Sequence, residues 1–457
     1  MAFVFFLYCS MKPNKLIYTL LLFLLIYSCD NNSTTEGVLP DEEQQDNTDD
    51  GPDNNDDPDQ DNGNAPTYEK AGEVEILNSD LIDQNPVLIN DAGNNLVYLM
   101  NKKGEIIFDW NINNGNLGND CIIESNGKLL AMLESEETLI ALGGQGGKIE
   151  LLDKEGNVEW QFTYSSEDYI LHHDAERMPN GNVLLMVWEK LSASNAIAIG
   201  YKQEIDIYPD AIIEVDPTNN EIVWEWHMWD HLVQDYDENL PYYGSISENP
   251  HLIDINYNQL ENGDVSHANG IEYDATNDII YLSVNFYHEI WAIDHSTTTE
   301  EASSHEGGNY NMGGDLIYRF GNPEAYGDFE SKRMFNNNHH PNLIEDNTMF
   351  VFGNGSDQLQ STVFEIEIPE TFKNQNNEFN EPSILWSFTD PELFSPKVSG
   401  AVTLPNGNIL ITEGDFGVWE VTRDKEVVWK FSGDGFYWRT YSYTENELIS
   451  NDILNPN

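Results

Sequence analysis

Four of the eleven histidines in this 457-residue chain stand in two adjacent pairs. His172 and His173 lie in HHDAERMPNGNVLLMVW, and His339 and His340 in FNNNHHPNLIEDNTMFVFG. A further histidine, His267, sits in GDVSHANGIEYDATNDIIYLS, and Asp174, Asn269 and Asn338 place polar side chains beside the three motifs. Imidazole supports three chemistries: it ligates zinc, copper or iron, it moves protons near neutral pH, and in its neutral form it attacks electrophilic sulfur or phosphorus. The structural alternative is that these rings only hydrogen-bond around a wet channel.

What decides between them is whether one scaffold brings the rings together. A strand-like ending recurs six times, as FDW (108–110), WQF (160–162), WEW (224–226), YRF (318–320), WSF (386–388) and WKF (429–431). An apolar strand and a turn precede each copy, and hairpins with Asn-Gly turns, such as AERMPNGNVLLM and AVTLPNGNILIT, follow several of them. The unit is a four-stranded meander, and six of them predict an all-β fold, a six-bladed β-propeller. Residues 86–110 supply only outer strands, so the C-terminal segment FYWRTYSYTENEL is expected to complete the first blade and close the ring.

In a propeller blade the first strand lines the axis. Counted back from the hairpin turns, Asn119, His173, His339 and Ser399 each stand nine residues before Lys128, Asn182, Thr348 and Asn408. His267 stands eleven before Asp278, as a turn two residues longer requires. Five blades therefore aim a polar group at one mouth, where reactive side chains gather. His172 and His340 should alternate away from the axis, as packing or supporting groups. The segment 227–263 between two blades is expected to pack over the mouth as a lid, with His231 and His251 on its surface.

The rest of the chain sets the compartment and the partners. Lysines at 12 and 15, an apolar run from Leu16 to Tyr27 and Ser28 before Cys29 make residues 1–28 a lipoprotein-type signal peptide, with Cys29 as the lipidated residue. Residues 29–66 form an acidic tether lacking Lys and Arg, disordered by composition, and 67–457 the propeller domain. The protein is thus expected to be an exported lipoprotein, anchored to a membrane and facing the periplasm or cell surface. Cys121 is left alone in the folded part. A formal charge of -61 excludes nucleic acid as a partner, and it requires an anionic substrate to be drawn in by local donors. Oligomeric state is not legible.

The ordered set HHDAERMPNGN, DVSHANGIEYDATNDIIYLS with HEIWAID after it, NNNHHPNLI with MFVFGNG, and SGAVTLPNGNILITEG resembles the arylsulfotransferase family over about residues 75–435. The resemblance implies a nucleotide-independent transferase without cofactor, on a six-bladed propeller. It would move a sulfuryl group from an aryl sulfate to a phenol, by a ping-pong route through a sulfohistidine. By position the nucleophile falls on His339, the DxxHxN motif on Asp264, His267 and Asn269, the early histidine on His173, and the late hydroxyl residue on Ser399. The family's sulfate-binding arginine falls near Asn285, where this chain has none, so His288 or a group from another blade would have to supply its charge. Val265 also departs from the motif.

On this reading His339 attacks sulfur. His173, His267 and Asn269 donate to the sulfuryl oxygens, and one histidine protonates the departing phenolate. No metal ligand is assigned, although an axial metal centre in a hydrolase or lyase is one competing reading. The other is a non-catalytic surface propeller that binds a carbohydrate or sulfated ligand.

Overall fold

The computed structural model describes residues 68–455 except 346, 376 and 377. The signal segment, Cys29 and the acidic tether lie outside the described residues.

Six antiparallel four-stranded sheets follow one another along the chain. The second to fifth blades are continuous: Leu117–Ile123 to Val158–Thr163, Tyr169–Arg177 to Glu221–His227, Ala268–Asp274 to Tyr318–Phe320, and Asn338–Glu345 to Ser383–Phe388. Five of the six aromatic endings lie on the outermost strand of their blade, and the sixth, at 429–431, lies on the last strand of its own meander, inside one added strand. Their rings pack between blades: Trp226 joins the core shared by the third and fourth, where Trp291 and Leu316 also lie. Tight turns start the sheets where the sequence places Asn-Gly. Gly181 and Gly407 hold φ of +91° and +86°, which only glycine adopts without strain.

The ring closes twice. Tyr437–Ser442 becomes the innermost strand of the first blade, inside Val87–Asp91, Leu96–Met100 and Ile106–Trp110. Glu73–Leu77 in turn adds a fifth, outermost strand to the sixth blade. Between these two blades Lys102 Nζ lies 2.7 Å from Glu420 Oε2, both buried, with the ammonium 4.4 Å from the Trp429 ring centroid. Glu420 also accepts from the Asp83 amide and from Asn408, so the buried charge is fully partnered.

The insertion after the third blade does not leave its histidines on the surface, as its polar composition suggested. Leu232–Val233 and Ile253–Asp254 pair in parallel, and Leu232, Ile253 and Ile255 enter the core of the third and fourth blades. His231 goes in with them and is fully buried, while His251 stays partly exposed. Asn258 of the insertion donates 2.7 Å to the Phe286 carbonyl and 3.4 Å to that of Val265, so the insertion braces the strand ends on either side of His267. Among the described residues no helix is long and apolar enough to cross a membrane.

Candidate active site

At the mouth the inner strands begin with residues held in the left-handed region. His173, His267, His340 and Ser399 have φ of 54°, 52°, 53° and 85°, and Val398 one of 47°. Such values cost side-chain-bearing residues energy, most of all a β-branched one, and in folded proteins they gather at functional sites. They coincide with bulges, between Leu185 and Val187 in the third blade and between His339 and Asn342 in the fifth. A bulge suspends strict alternation, which is why neither His172 nor His340 turns simply away from its partner.

Three of the rings converge. The centroids of His173 and His267 are 4.7 Å apart, edge to face. His339 lies close enough to His173 to interact with it electrostatically, as His267 does. Aromatic rings wall the space. Trp188 is 5.5 Å from His173 and 5.8 Å from His267, Trp438 is 5.9 Å from His173, and Phe286 stacks on His267 at 4.6 Å. The Trp188 and Trp438 indole N–H groups are buried without a partner.

His339 is held in one tautomer. Asn354 donates its amide N–H groups to the carbonyls of Ser395 (2.9 Å) and Val398 (3.1 Å), so its Oδ1 must face the ring. Oδ1 lies 2.6 Å from His339 Nδ1, which therefore carries the proton. Nε2 keeps the lone pair and accepts a 3.2 Å bond from the Val398 N–H. Burial pushes the imidazole down to about 3, so the ring is neutral.

His267 is the opposite case. Burial pushes it down, but the Asp264 carboxylate, 2.6 Å from its Nδ1, and the charge of Asp210 outweigh that and raise it. Of the three rings it is the one whose protonated form is favoured, with Nδ1 bound to Asp264. His173, buried beside other imidazoles, is pushed well down and stays neutral. Its Nδ1 lies 2.9 Å from His172 Nδ1. His172 in turn stacks on Trp188 at 4.0 Å and has Nε2 3.0 Å from Asp210 Oδ1, off the line of a hydrogen bond.

The His173 ring rests on Gly144 (φ +88°), where an added Cβ would come within 2.1 Å of its Cε1 and Nε2. Gly144→Ala is accordingly expected to displace the ring and lower kcat/KM by roughly 10- to 100-fold, measured with the thermal midpoint as a control on folding.

The remaining residues assigned from the sequence occupy supporting places. Asn269 Nδ2 donates to the Asn338 carbonyl at 2.8 Å, leaving its Oδ1 buried and unpartnered. Asn285 is bound to the same carbonyl (3.3 Å) and accepts from Asn337 (2.7 Å). Ser399 Oγ donates to the Lys397 carbonyl and accepts from the Gly414 N–H. His288 Nδ1 accepts from the Asn337 N–H, and burial with the nearby Arg333 holds the ring down to about 4, so it supplies no charge.

Nor does any guanidinium stand free for a sulfate. All five arginines of the chain are ion-paired: Arg177 with Glu124, Arg319 with Glu289, Arg333 with Glu324, Arg423 with Glu365, and Arg439 with Asp120 and Asp174. Arg439 lies in the axis, where Tyr441 also donates to Asp120. The mouth residues that the sequence alone did not single out include Asn354, Asp210, Val398 and the rings of Trp188, Trp438 and Phe286. Of these, Asn354 leaves a trace in the motif MFVFGNG.

A family model described as Arylsulfotransferase (ASST) matches residues 69–447. No curated protein matches the chain. Among solved structures, the β-propeller domain of Cps50 (Swd1) from Myceliophteria thermophila is 8% identical, with a TM-score of 0.35 over 81% of this chain and 89% of that one. A putative 6-phosphogluconolactonase from Bacteroides fragilis is 10% identical, with a TM-score of 0.40 over 79% and 98%. One from Bacteroides uniformis is also 10% identical, with 0.37 over 79% and 100%.

Proposed function

Because the chain belongs to the arylsulfotransferase family, we propose that it transfers the sulfuryl group of an aryl sulfate to a phenol in two steps through His339. The fixed tautomer carries the proposal: a buried, neutral imidazole whose Nδ1 proton is locked to Asn354 can offer only Nε2.

In the first half-reaction the Nε2 lone pair forms a bond to sulfur as the S–O bond to the aryl group breaks. The departing phenolate takes the Nε2 proton of the His267 imidazolium, so phenol leaves and His267 is left neutral. In the second, the acceptor phenol returns a proton to His267 while its oxygen attacks sulfur, and the N–S bond breaks. One ring thus serves as acid and then base, with Asp264 holding it in place. Positioning and electrostatics contribute most of the catalysis, as in phosphoryl transfer.

His267 also takes over the charge for which no free arginine is present. The Val398 N–H, released from Nε2 when that atom bonds sulfur, becomes a donor beside the new sulfuryl oxygens. Trp188, Trp438 and Phe286 suit a flat aryl group. The test is incubation with a chromogenic aryl sulfate, with and without a phenol. Phenol release that rises with acceptor concentration, with sulfated acceptor as product, supports the reading; release insensitive to the acceptor counts against transfer.

The paired arginines and the Val398 N–H on Nε2 favour a second reading, a propeller that binds sulfated ligands without turnover. It is distinguished by ligand affinity that survives His339→Ala while no sulfated acceptor forms. The proposal also keeps Cys29 as the lipid-bearing residue of an exported, membrane-anchored protein. Cys29→Ser is expected to move the protein from the membrane fraction to the soluble one, and unchanged fractionation would remove lipid anchoring at that residue.

A further inference from the structure

Among the described residues, a set of metal-ligating side chains lies between the insertion and the loop before Tyr318–Phe320, away from the mouth motifs. His231 Nδ1 stands 2.8 Å from Asp315 Oδ1, and His305 Nδ1 stands 2.7 Å from the same oxygen. One donor atom from each of the three residues lies within 4.8 Å of the others. His251 Nε2 is 3.9 Å from the second oxygen, Asp315 Oδ2.

The orientation of the His231 ring points the same way. Its Nε2 lies 2.8 Å from the Ala302 carbonyl oxygen, which has no proton to give, so Nε2 carries the hydrogen. Nδ1 turns toward the carboxylate oxygen inside a fully buried setting. A proton on Nδ1 would join only that one pair of atoms, whereas a divalent ion would engage Nδ1 of both rings and the carboxylate together.

The surroundings have the form of such a site. A metal-ligating histidine characteristically donates its other N–H to a carbonyl, as His231 does to Ala302. That carbonyl ends the short helix Thr299–Ala302, fixed by a capping box between Thr298 and Glu301. The His231 ring stacks parallel to Trp226 at 5.6 Å, and the Trp226 indole donates to the Gly314 carbonyl at 2.7 Å. Gly314 allows the close approach, because a Cβ there would meet His231 Nε2 at 2.5 Å.

We infer that His231, His305 and Asp315, with His251 closing in as a fourth ligand, form a binding site for a divalent ion of the zinc class. Nitrogen and carboxylate donors of this kind suit zinc at about 2.0–2.2 Å, which sets ligand atoms roughly 3.3 Å apart in a tetrahedron. The two short contacts therefore open by about half an ångström and His251 moves inward. His305 is exposed and free to adjust. The ion joins two segments distant in sequence: the insertion gives His231 and His251, and the loop before Tyr318–Phe320 gives His305 and Asp315. Since the insertion braces the strand ends around His267 through Asn258, the site acts as a structural clamp on that brace.

The experiment is equilibrium dialysis of the full chain against Zn²⁺, with metal analysis and thermal unfolding, for wild type, His305→Gln, Asp315→Asn and His339→Ala. The expected result is one zinc per chain, raising the unfolding midpoint, in wild type and in His339→Ala alike. His305→Gln should weaken binding about 10- to 100-fold, and Asp315→Asn should abolish it. His305 is more than half exposed, so its variant keeps the fold even if Asp315→Asn does not. Wild type that retains no zinc, zinc retained equally in His305→Gln, or zinc lost in His339→Ala overturns the assignment.

Discussion

His339→Ala is expected to lower kcat/KM for aryl sulfate by ~10⁴-fold or more, about 5.5 kcal/mol of transition-state stabilisation. The size follows from the role: the variant loses the atom that bonds to sulfur, and no other group at the mouth has its combination of neutrality and fixed orientation. His173 is neutral, but its Nδ1 is tied to His172 and its ring lies against Gly144. His267 is shifted toward its protonated form by Asp264, and that form has no lone pair to offer. The variant also leaves Asn354 Oδ1 and the Val398 N–H without the ring, so thermal unfolding is measured beside activity. Transfer should fail, and a loss smaller than about tenfold would mean that the nucleophile is elsewhere.

Asp264→Asn carries the second largest effect, about 10²- to 10³-fold in kcat/KM at neutral pH. Burial alone pushes His267 down; the Asp264 charge and its hydrogen bond push it up and prevail. The first half-reaction needs the imidazolium, so activity is present below the His267 pKa and falls as pH rises through it. In the variant burial is less opposed, and the alkaline limb moves to lower pH. The acid limb belongs to His339, held at about 3, and lies below the range in which the limb of His267 is read. Profiles of kcat/KM from about pH 5 to 9 for both proteins measure this. A variant with reduced activity but an unmoved alkaline limb would leave Asp264 a packing residue.

The scaffold was legible in the sequence because its signals are periodic and local. Six aromatic strand endings, Asn-Gly turns and an incomplete first blade each follow from hydrogen bonding and burial within some twenty residues. All six endings lie on the last strand of their own meander, outermost in five of the blades, and the C-terminal segment does enter the first blade. The count back from the turns also selected His173, His267 and His339, which come together across three blades.

What escaped depends on contacts between distant segments. Strict alternation placed His172 and His340 away from the axis as packing or supporting groups; at the bulges His172 supports His173 by direct contact, and His340 turns toward Gly400 and Tyr441. Asn354, which sets the tautomer of His339, shows its importance only once its own N–H groups are seen bound to the 395–398 loop. His231 looks like a surface residue in a polar insertion, because the Trp226 and Ala302 that enclose it come from other elements. The absence of an arginine at 285 was plain in the sequence; that every arginine elsewhere is paired was not.

The most direct measurement is mass spectrometry of the protein quenched after mixing with aryl sulfate and no acceptor. One added SO₃ group is expected on the peptide that contains His339, formed with a burst of one phenol per chain and discharged when a phenol is added. Phenol release without any adduct, or an adduct that persists in His339→Ala, would contradict transfer through this ring.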